Sequence, residues 1–194
     1  MAGRHGREEQ LLTVGHGTLG TESLAQLLRD TGVEVVVDIR RFPGSRRHPH
    51  LARDRLAADL PQLGVGYRWV ERLGGRRSVP PDSPDTALRN AAFRGYAAHM
   101  RSPDFRSAVD VLLDEAAQRR VAVMCSESVW WRCHRRLVAD HVQLVDGVAV
   151  HHLMHDGRTT AHPPTDGVRV GADGLLVYDA GADSLPWEPP DEPS

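Results

Sequence analysis

The sequence contains no lysine; all 24 of its basic side chains are arginine, a bias that GC-rich coding alone would produce. It has only two cysteines. That is too few for a disulfide framework, and it points to a cytosolic protein with both thiols reduced. No apolar run reaches the roughly 18 residues that a membrane-spanning helix needs. Residues 1–10 have no apolar core of the kind a secretory signal carries, so none is read there. The Walker pattern and the dinucleotide fingerprint are both missing, and there are no internal repeats.

What is present is enough for one domain with a tail: 194 residues, 40% of them hydrophobic. The net charge of −2 hides an asymmetry. From Arg40 to Arg77 there are ten arginines against three acids, and from Asp173 to the end six acids and no arginine. The first stretch suits an anion-binding face, because guanidinium forks match phosphate oxygens. The acidic end reads as a solvated tail.

The apolar pattern gives an alternating order of strands and helices. Leu11 to Val14 is a first strand, followed by the Gly15-His16-Gly17-Thr18 turn. A helix with Leu24, Leu27 and Leu28 on its buried face comes next, with Thr21 or a neighbour as cap and Gly32 at its end. The β-branched run Val33 to Ile39 suits a strand buried on both faces. Leu56, Leu60 and Leu63 mark a second helix, and 65–70 a third strand. Residues 73–92 form a loop, and a short helix follows Arg94-Gly95-Tyr96. Ser102-Pro103-Asp104 starts another helix, with a cap serine, proline at the first position and an acid in the first turn. Strands follow at 121–124 and 148–153, then a hairpin over 168–178 around Asp173-Gly174.

This order predicts an α/β three-layer sandwich with a mostly parallel sheet of about five strands and a C-terminal β-hairpin extension. The expected divisions are a disordered N-terminus over 1–10, the α/β domain over 11–155, the hairpin extension over 156–180 and a disordered, proline-rich acidic tail over 181–194. In such sheets ligands bind beyond the carboxyl ends of the strands. There the sequence puts His16, Asp38, Arg40, Cys125 and Glu127.

The segment 121–136, VAVMCSESVWWRCHRR, holds both cysteines. Cys125 ends a strand, and Cys133 lies at or near the start of a helix, where a partial positive charge favours a thiolate. Arg132, His134 and Arg135 stand beside it. Strand, cysteine, loop, arginine and helix loosely resemble the anion cradle of thiol phosphatases and rhodaneses. Yet six residues separate Cys125 from Arg132, and the loop has no glycine, so the phosphatase spacing is not met. Either cysteine is equally a buried packing residue. The cysteine and histidine spacing is not that of a zinc site, so no cofactor is predicted, although a metal at the cluster stays open.

The remaining candidates divide the same way. His16 between glycines suits close approach to a ligand or a turn bonded to backbone. Asp38 is a base or the partner of Arg40 or Arg135. Arg40, Arg46 and Arg47 are phosphate contacts or solvated surface. Trp130 and Trp131 stack on bases or cap a core, and Arg94 and Tyr96 share that ambiguity. The histidines from His151 to His162 have no metal spacing and read as surface.

Taken in order, TVGHGT, VVVDIRRFPGSRR, YRWVERLGG, FRGYAAHM and VMCSE…RCHRRLVAD together resemble the domain-of-unknown-function family 488 over about residues 11–153. The matching positions are His16, Asp38, Arg40, Arg46, Arg94, Tyr96, Cys125, Glu127, Cys133, His134 and Arg135. The family usually has Cys-Ala-Glu where this chain has Cys125-Ser126-Glu127, and often serine and asparagine where it has Gly17 and Thr18. The resemblance implies a cytosolic bacterial α/β protein and supplies no activity.

From the residues, the leading expectation is an enzyme acting on a phosphate-bearing ligand, nucleotide or nucleic acid. Arg40, Arg46, Arg132 and Arg135 would hold phosphate. Cys125 or Cys133 would be the nucleophile, and His16, Glu127 or His134 would move protons. One alternative is a non-catalytic module that binds nucleic acid through the same arginines and tryptophans. Another is rhodanese-like sulfur transfer or thiol redox chemistry with the cysteines as attacking and resolving pair.

Overall fold

The computed structural model describes residues 10–44 and 48–181. The expectations for 1–9, for Arg46 and Arg47, and for the tail beyond 181 lie outside the described residues.

Among the described residues there are five helices and eight strands. They are β1 (Gln10–Gly15), α1 (Thr21–Asp30), β2 (Val35–Asp38), α2 (Arg53–Gln62), β3 (Gly66–Trp69), α3 (Ala91–Met100), α4 (Pro103–Ala116), β4 (Val121–Cys125), α5 (Arg135–Leu144), β5 (Ala149–Leu153), β6 (Thr159–Ala161), β7 (Val168–Val170) and β8 (Leu176–Tyr178). Three short 3-10 turns lie at Pro49–Leu51, Glu71–Leu73 and Trp130–Arg132. The main sheet has the order β3-β2-β4-β1-β5-β6 and is parallel except for β6. It has one strand more than the five expected. β6 is the polar, exposed Thr159–Ala161, which carries no apolar alternation to announce it. β7 and β8 form the separate hairpin.

The strands alternate side chains between two cores, which makes the three layers. Val35, Val37, Val121, Val123 and Cys125 face α3, α4 and α5. Val36, Ala122 and Met124 face α1 and α2. Ser102 caps α4 as expected, accepting from the Phe105 amide. At α1 the cap position is Gly20, and Thr21 is the first helical residue. Gly32 ends the helix with φ at +72°, a conformation that favours glycine.

The chain moves outward from β1 to β2 to β3 with α1 and α2 on one face, then returns to β4 and β5 with α3, α4 and α5 on the other. Right-handed crossovers require this change of face when the direction reverses. β4 therefore lies between β1 and β2, and the connections leaving those two strands depart to the opposite face from the one leaving β4. The crevice at the carboxyl end of β4 is the place where such sheets bind ligands. No described helix is long and apolar enough to cross a membrane.

Candidate functional site

The crevice is a cavity of about 440 Å³. Its floor is the carboxyl ends of the strands. The β1–β4 pairing runs on past the strands: the His16 amide donates to Cys125 O at 3.0 Å and the Gly17 amide to Ser126 O at 2.9 Å. On the other side, the Ile39 amide donates to Met124 O at 2.9 Å. These bonds lock three loops side by side and bring His16, Arg40 and Cys125 to one wall.

Cys125 and Cys133 are both buried and both free. Nδ1 of His134 lies 3.8 Å from each sulfur, and the three donor atoms lie within 4.8 Å of one another. The Cys133 thiol, donating to Cys125, holds the Cys125 thiol well below its ordinary range; burial opposes this, while His134 and Arg135 assist. Burial, followed by the Cys125 thiolate, pushes the Cys133 thiol well up. One thiolate, supported by one thiol, is the arrangement these neighbours favour.

Arg135 supplies the fixed charge. It opens α5, is 1% exposed, and has no carboxylate partner among the described residues. Its Nη1 donates to Glu127 O, and its Nη2 donates to Ser128 O at 3.0 Å. A buried guanidinium without a carboxylate favours negative charge nearby, and Arg135 is among the groups that lower the Cys125 thiol. Gly15 makes room for this seat, since a Cβ there would stand 1.8 Å from Glu127 O and 2.8 Å from Arg135 Nη1.

Asp38 is fully buried and holds Arg40. Arg40 Nε donates to Asp38 Oδ1 at 2.9 Å, and its Nη2 donates to Oδ2 at 2.6 Å. Tyr67 O–H donates to the same Oδ2 at 2.6 Å. Nη1 of Arg40 donates to Leu51 O at 2.9 Å and lies 3.1 Å from His16 Nε2. Arginine has only donors, so Nε2 of His16 accepts, and its Nδ1–H donates to Gly17 O at 2.9 Å. Burial and then the Arg40 charge lower His16 to a pKa of about 4.

The structure thus brings His16, Arg40, Cys125, Glu127, Arg132, Cys133 and His134 to the cavity wall. Asp38 and Arg135 stand behind the wall. Tyr96 is buried beneath it, with O–H donating to Leu73 O at 2.7 Å and its ring edge-on to His134 at 4.7 Å. Arg94 faces away and donates to Leu88 O at 2.8 Å and to Arg89 O at 3.2 Å, propping the loop before α3. Trp130 lies outside this cavity, stacked on His152 at 4.2 Å and 6°.

Sequence reasoning missed Arg41, Phe42, Arg76, Asn90 and Phe93, which also line the cavity. Arg41 and Arg76 belong to the arginine-rich stretch and could have been picked out from it. Phe42 and Phe93 lie within the motifs VVVDIRRFPGSRR and FRGYAAHM, but Asn90 lies in none of them. The reading of the later histidines as surface is corrected for two of them: His152 and His162 are buried. They join a chain in which Thr13 Oγ1 lies 2.6 Å from His152 Nδ1, His152 Nε2 2.9 Å from His162 Nδ1, and His162 Nε2 2.9 Å from Asp140 Oδ1. Each histidine exchanges water for a fixed partner, which spacing along a strand does not reveal.

Cys125, Cys133 and His134 are the one group among the described residues with donors close enough to hold a metal ion. A ligating histidine normally anchors its other ring nitrogen on an acceptor. Here His134 Nε2 is buried without a hydrogen-bond partner, so the outer support of a metal site is missing.

A family model described as Domain of unknown function DUF488 matches residues 21–142. No curated protein and no solved structure matches the chain.

Proposed function

The chain belongs to the family described as Domain of unknown function DUF488, and we propose that it is a thiol-dependent enzyme acting on a phosphate-bearing ligand, nucleotide or nucleic acid, bound over the carboxyl end of β4. The observation that carries the reading is Cys125. It lies at the cavity wall with a donor thiol beside it and the buried, carboxylate-free Arg135 behind it. A thiolate held in this way is a nucleophile at neutral pH.

The preference for an anion rests on the lining. Arg40, Arg41, Arg76 and Arg132 face the cavity against Glu127 as the one acid among the described residues. Arg40 is tied to Asp38, His16 and Leu51 and holds the wall. Arg76 and Arg132 are exposed and have no side-chain ion pair among the described residues. They are the groups left to meet phosphate oxygens.

In the proposed step the Cys125 sulfur forms a bond to the electrophilic centre of the ligand while the bond from that centre to a leaving oxygen breaks. The leaving oxygen takes a proton from solvent. Water, giving its proton to the Glu127 carboxylate, then cleaves the bond to sulfur and restores the thiolate, and Glu127 passes the proton to solvent. His16, neutral and with both ring nitrogens engaged, positions Arg40. Cys133 remains a thiol throughout.

The test is the pH dependence of alkylation of each cysteine, read by peptide mass spectrometry with and without phosphate or an oligonucleotide. Cys125 should react at low pH and be protected by the anion, and Cys133 should react only at high pH. Two inert thiols, unchanged by either anion, would overturn the proposal.

The proximity of the sulfurs favours a second reading, thiol redox chemistry. A hydroperoxide would oxidise the Cys125 thiolate to a sulfenic acid and leave as its alcohol or water. Cys133 would then attack that sulfur, forming a disulfide and releasing water. Absence of a Cys125–Cys133 bond after peroxide treatment would remove this reading and leave the first intact.

A further inference from the structure

A second cavity, of about 640 Å³, abuts the thiol cavity and shares Asn90 and Phe93 with it. Its lining differs in kind. Trp131 is 46% exposed and presents a large ring to solvent. Phe93 carries the Arg136 guanidinium over its ring at 4.9 Å. Arg89 and Arg136 line it against Asp166 as the single acid among the described residues.

The aromatic wall is held in place. Trp130 is stacked on the buried His152, and Trp131 stands edge-on to Trp130 at 5.5 Å. Arg136 Nη1 donates to Trp131 O at 3.1 Å. Flat apolar faces combined with guanidinium groups are what an unpaired base and its phosphate require. In a duplex the base faces are already stacked and closed to such a wall.

We propose that the second cavity binds a nucleotide of single-stranded nucleic acid whose neighbour occupies the thiol cavity, so that the ligand is a polynucleotide and not a free mononucleotide. The inference rests on the reading of the thiol cavity as a phosphate-bearing site and extends it. Trp131 stacks on the base, and Arg89 meets the connecting phosphate. Phe93, shared by both cavities, lies at the junction between the two nucleotides.

The experiment uses the full chain with three probes: dTMP, a single-stranded ten-residue oligothymidylate, and a duplex of the same length. Binding is read by tryptophan quenching, and occupancy of the thiol cavity by protection of Cys125 from alkylation. The single strand should bind at least about tenfold tighter than dTMP or the duplex, and Trp131→Ala should remove about tenfold of that affinity. Arg89→Gln should reduce the slope of log affinity against log salt by about one. Both variants change exposed side chains, so the fold is retained, and circular dichroism checks it.

If dTMP protects Cys125 but the oligonucleotide binds no tighter, the second-cavity proposal is overturned and the thiol reading stands. The same holds if Trp131→Ala changes nothing. If the oligonucleotide binds through Trp131 without protecting Cys125, the thiol cavity is not its partner and the linked arrangement is overturned. If neither probe binds or protects, both readings fall.

Discussion

Arg40 donates from Nη1 to His16 Nε2 across 3.1 Å, which fixes the histidine as the neutral tautomer with its proton on Nδ1. The same guanidinium is clamped by Asp38. His16 is thereby removed from proton transfer near neutral pH and becomes a strut between β1 and β2. By NMR its ring should stay neutral until the pH approaches about 4. Asp38→Asn, which loosens Arg40, should move that titration; an unchanged curve would show that burial alone sets it.

Four histidines make the fold acid-sensitive. Burial is the first cause of the lowering in each; it takes His16 and His141 to about 4 and His152 to about 3, and it lowers His99 as well. Below 6.5 the unfolded chain takes up protons that the folded chain refuses. The stability these groups contribute is therefore full above 6.5 and is lost as pH falls toward 4 and then 3. Asp146, raised by burial to about 6, has the opposite sign and offsets part of this between 6 and 3.8. The urea midpoint should fall between pH 7 and pH 4; a flat profile would contradict the balance of four groups against one.

Cys133→Ala removes the thiol that donates to Cys125. A hydrogen bond to a charged group is worth about 1.5–3 kcal/mol, so alkylation of Cys125 at pH 6 should slow by at least about tenfold. At pH 10 the rate should return to that of the parent protein. Slowing at both pH values would mean a change of access, not of ionisation.

Gly15→Ala places a methyl group 1.8 Å from Glu127 O. Overpacking of this kind costs about 1–3 kcal/mol, and here the group displaced is the carbonyl that seats Arg135. The variant should lose stability in a urea titration and also lose the low-pH reactivity of Cys125. Retention of that reactivity in a destabilised protein would separate Arg135 from the thiol.

Asp140 accepts from His162, from the Thr165 amide at 2.8 Å and from Tyr178 O–H at 3.0 Å. Asp140→Ala leaves two buried donors, on His162 and Tyr178, without this acceptor, each worth about 1–3 kcal/mol. The loss should be at least about 2 kcal/mol by denaturant titration. It should also release the hairpin of β7 and β8, because Tyr178 belongs to β8. Proteolysis within residues 163–178 reads that release directly.

A chelator should leave the thiol count at two and the melting temperature unchanged, since His134 Nε2 has no outer support of the kind a metal site uses. A drop in melting temperature on chelation would make the cluster a metal site after all.

The sequence by itself determined the layered α/β fold, because local pattern carries that information. Val35-Val36-Val37 suits a strand buried on both faces, and Ser102-Pro103-Asp104 suits the start of a helix. It also placed His16, Arg40 and Cys125 at strand ends, where a parallel sheet keeps its ligands. The polar edge strand Thr159–Ala161 was invisible, since nothing apolar marked it. Tertiary structure alone decided which of those residues meet. Strand order sets β4 between β1 and β2, and no periodicity encodes strand order. That order made Asp38 and Arg40 a clamp on His16, turned Arg94 away to prop a loop, and brought in Asn90 from outside every motif. It also took His152 and His162 out of water, because burial depends on what packs above a residue and not on its neighbours in the chain.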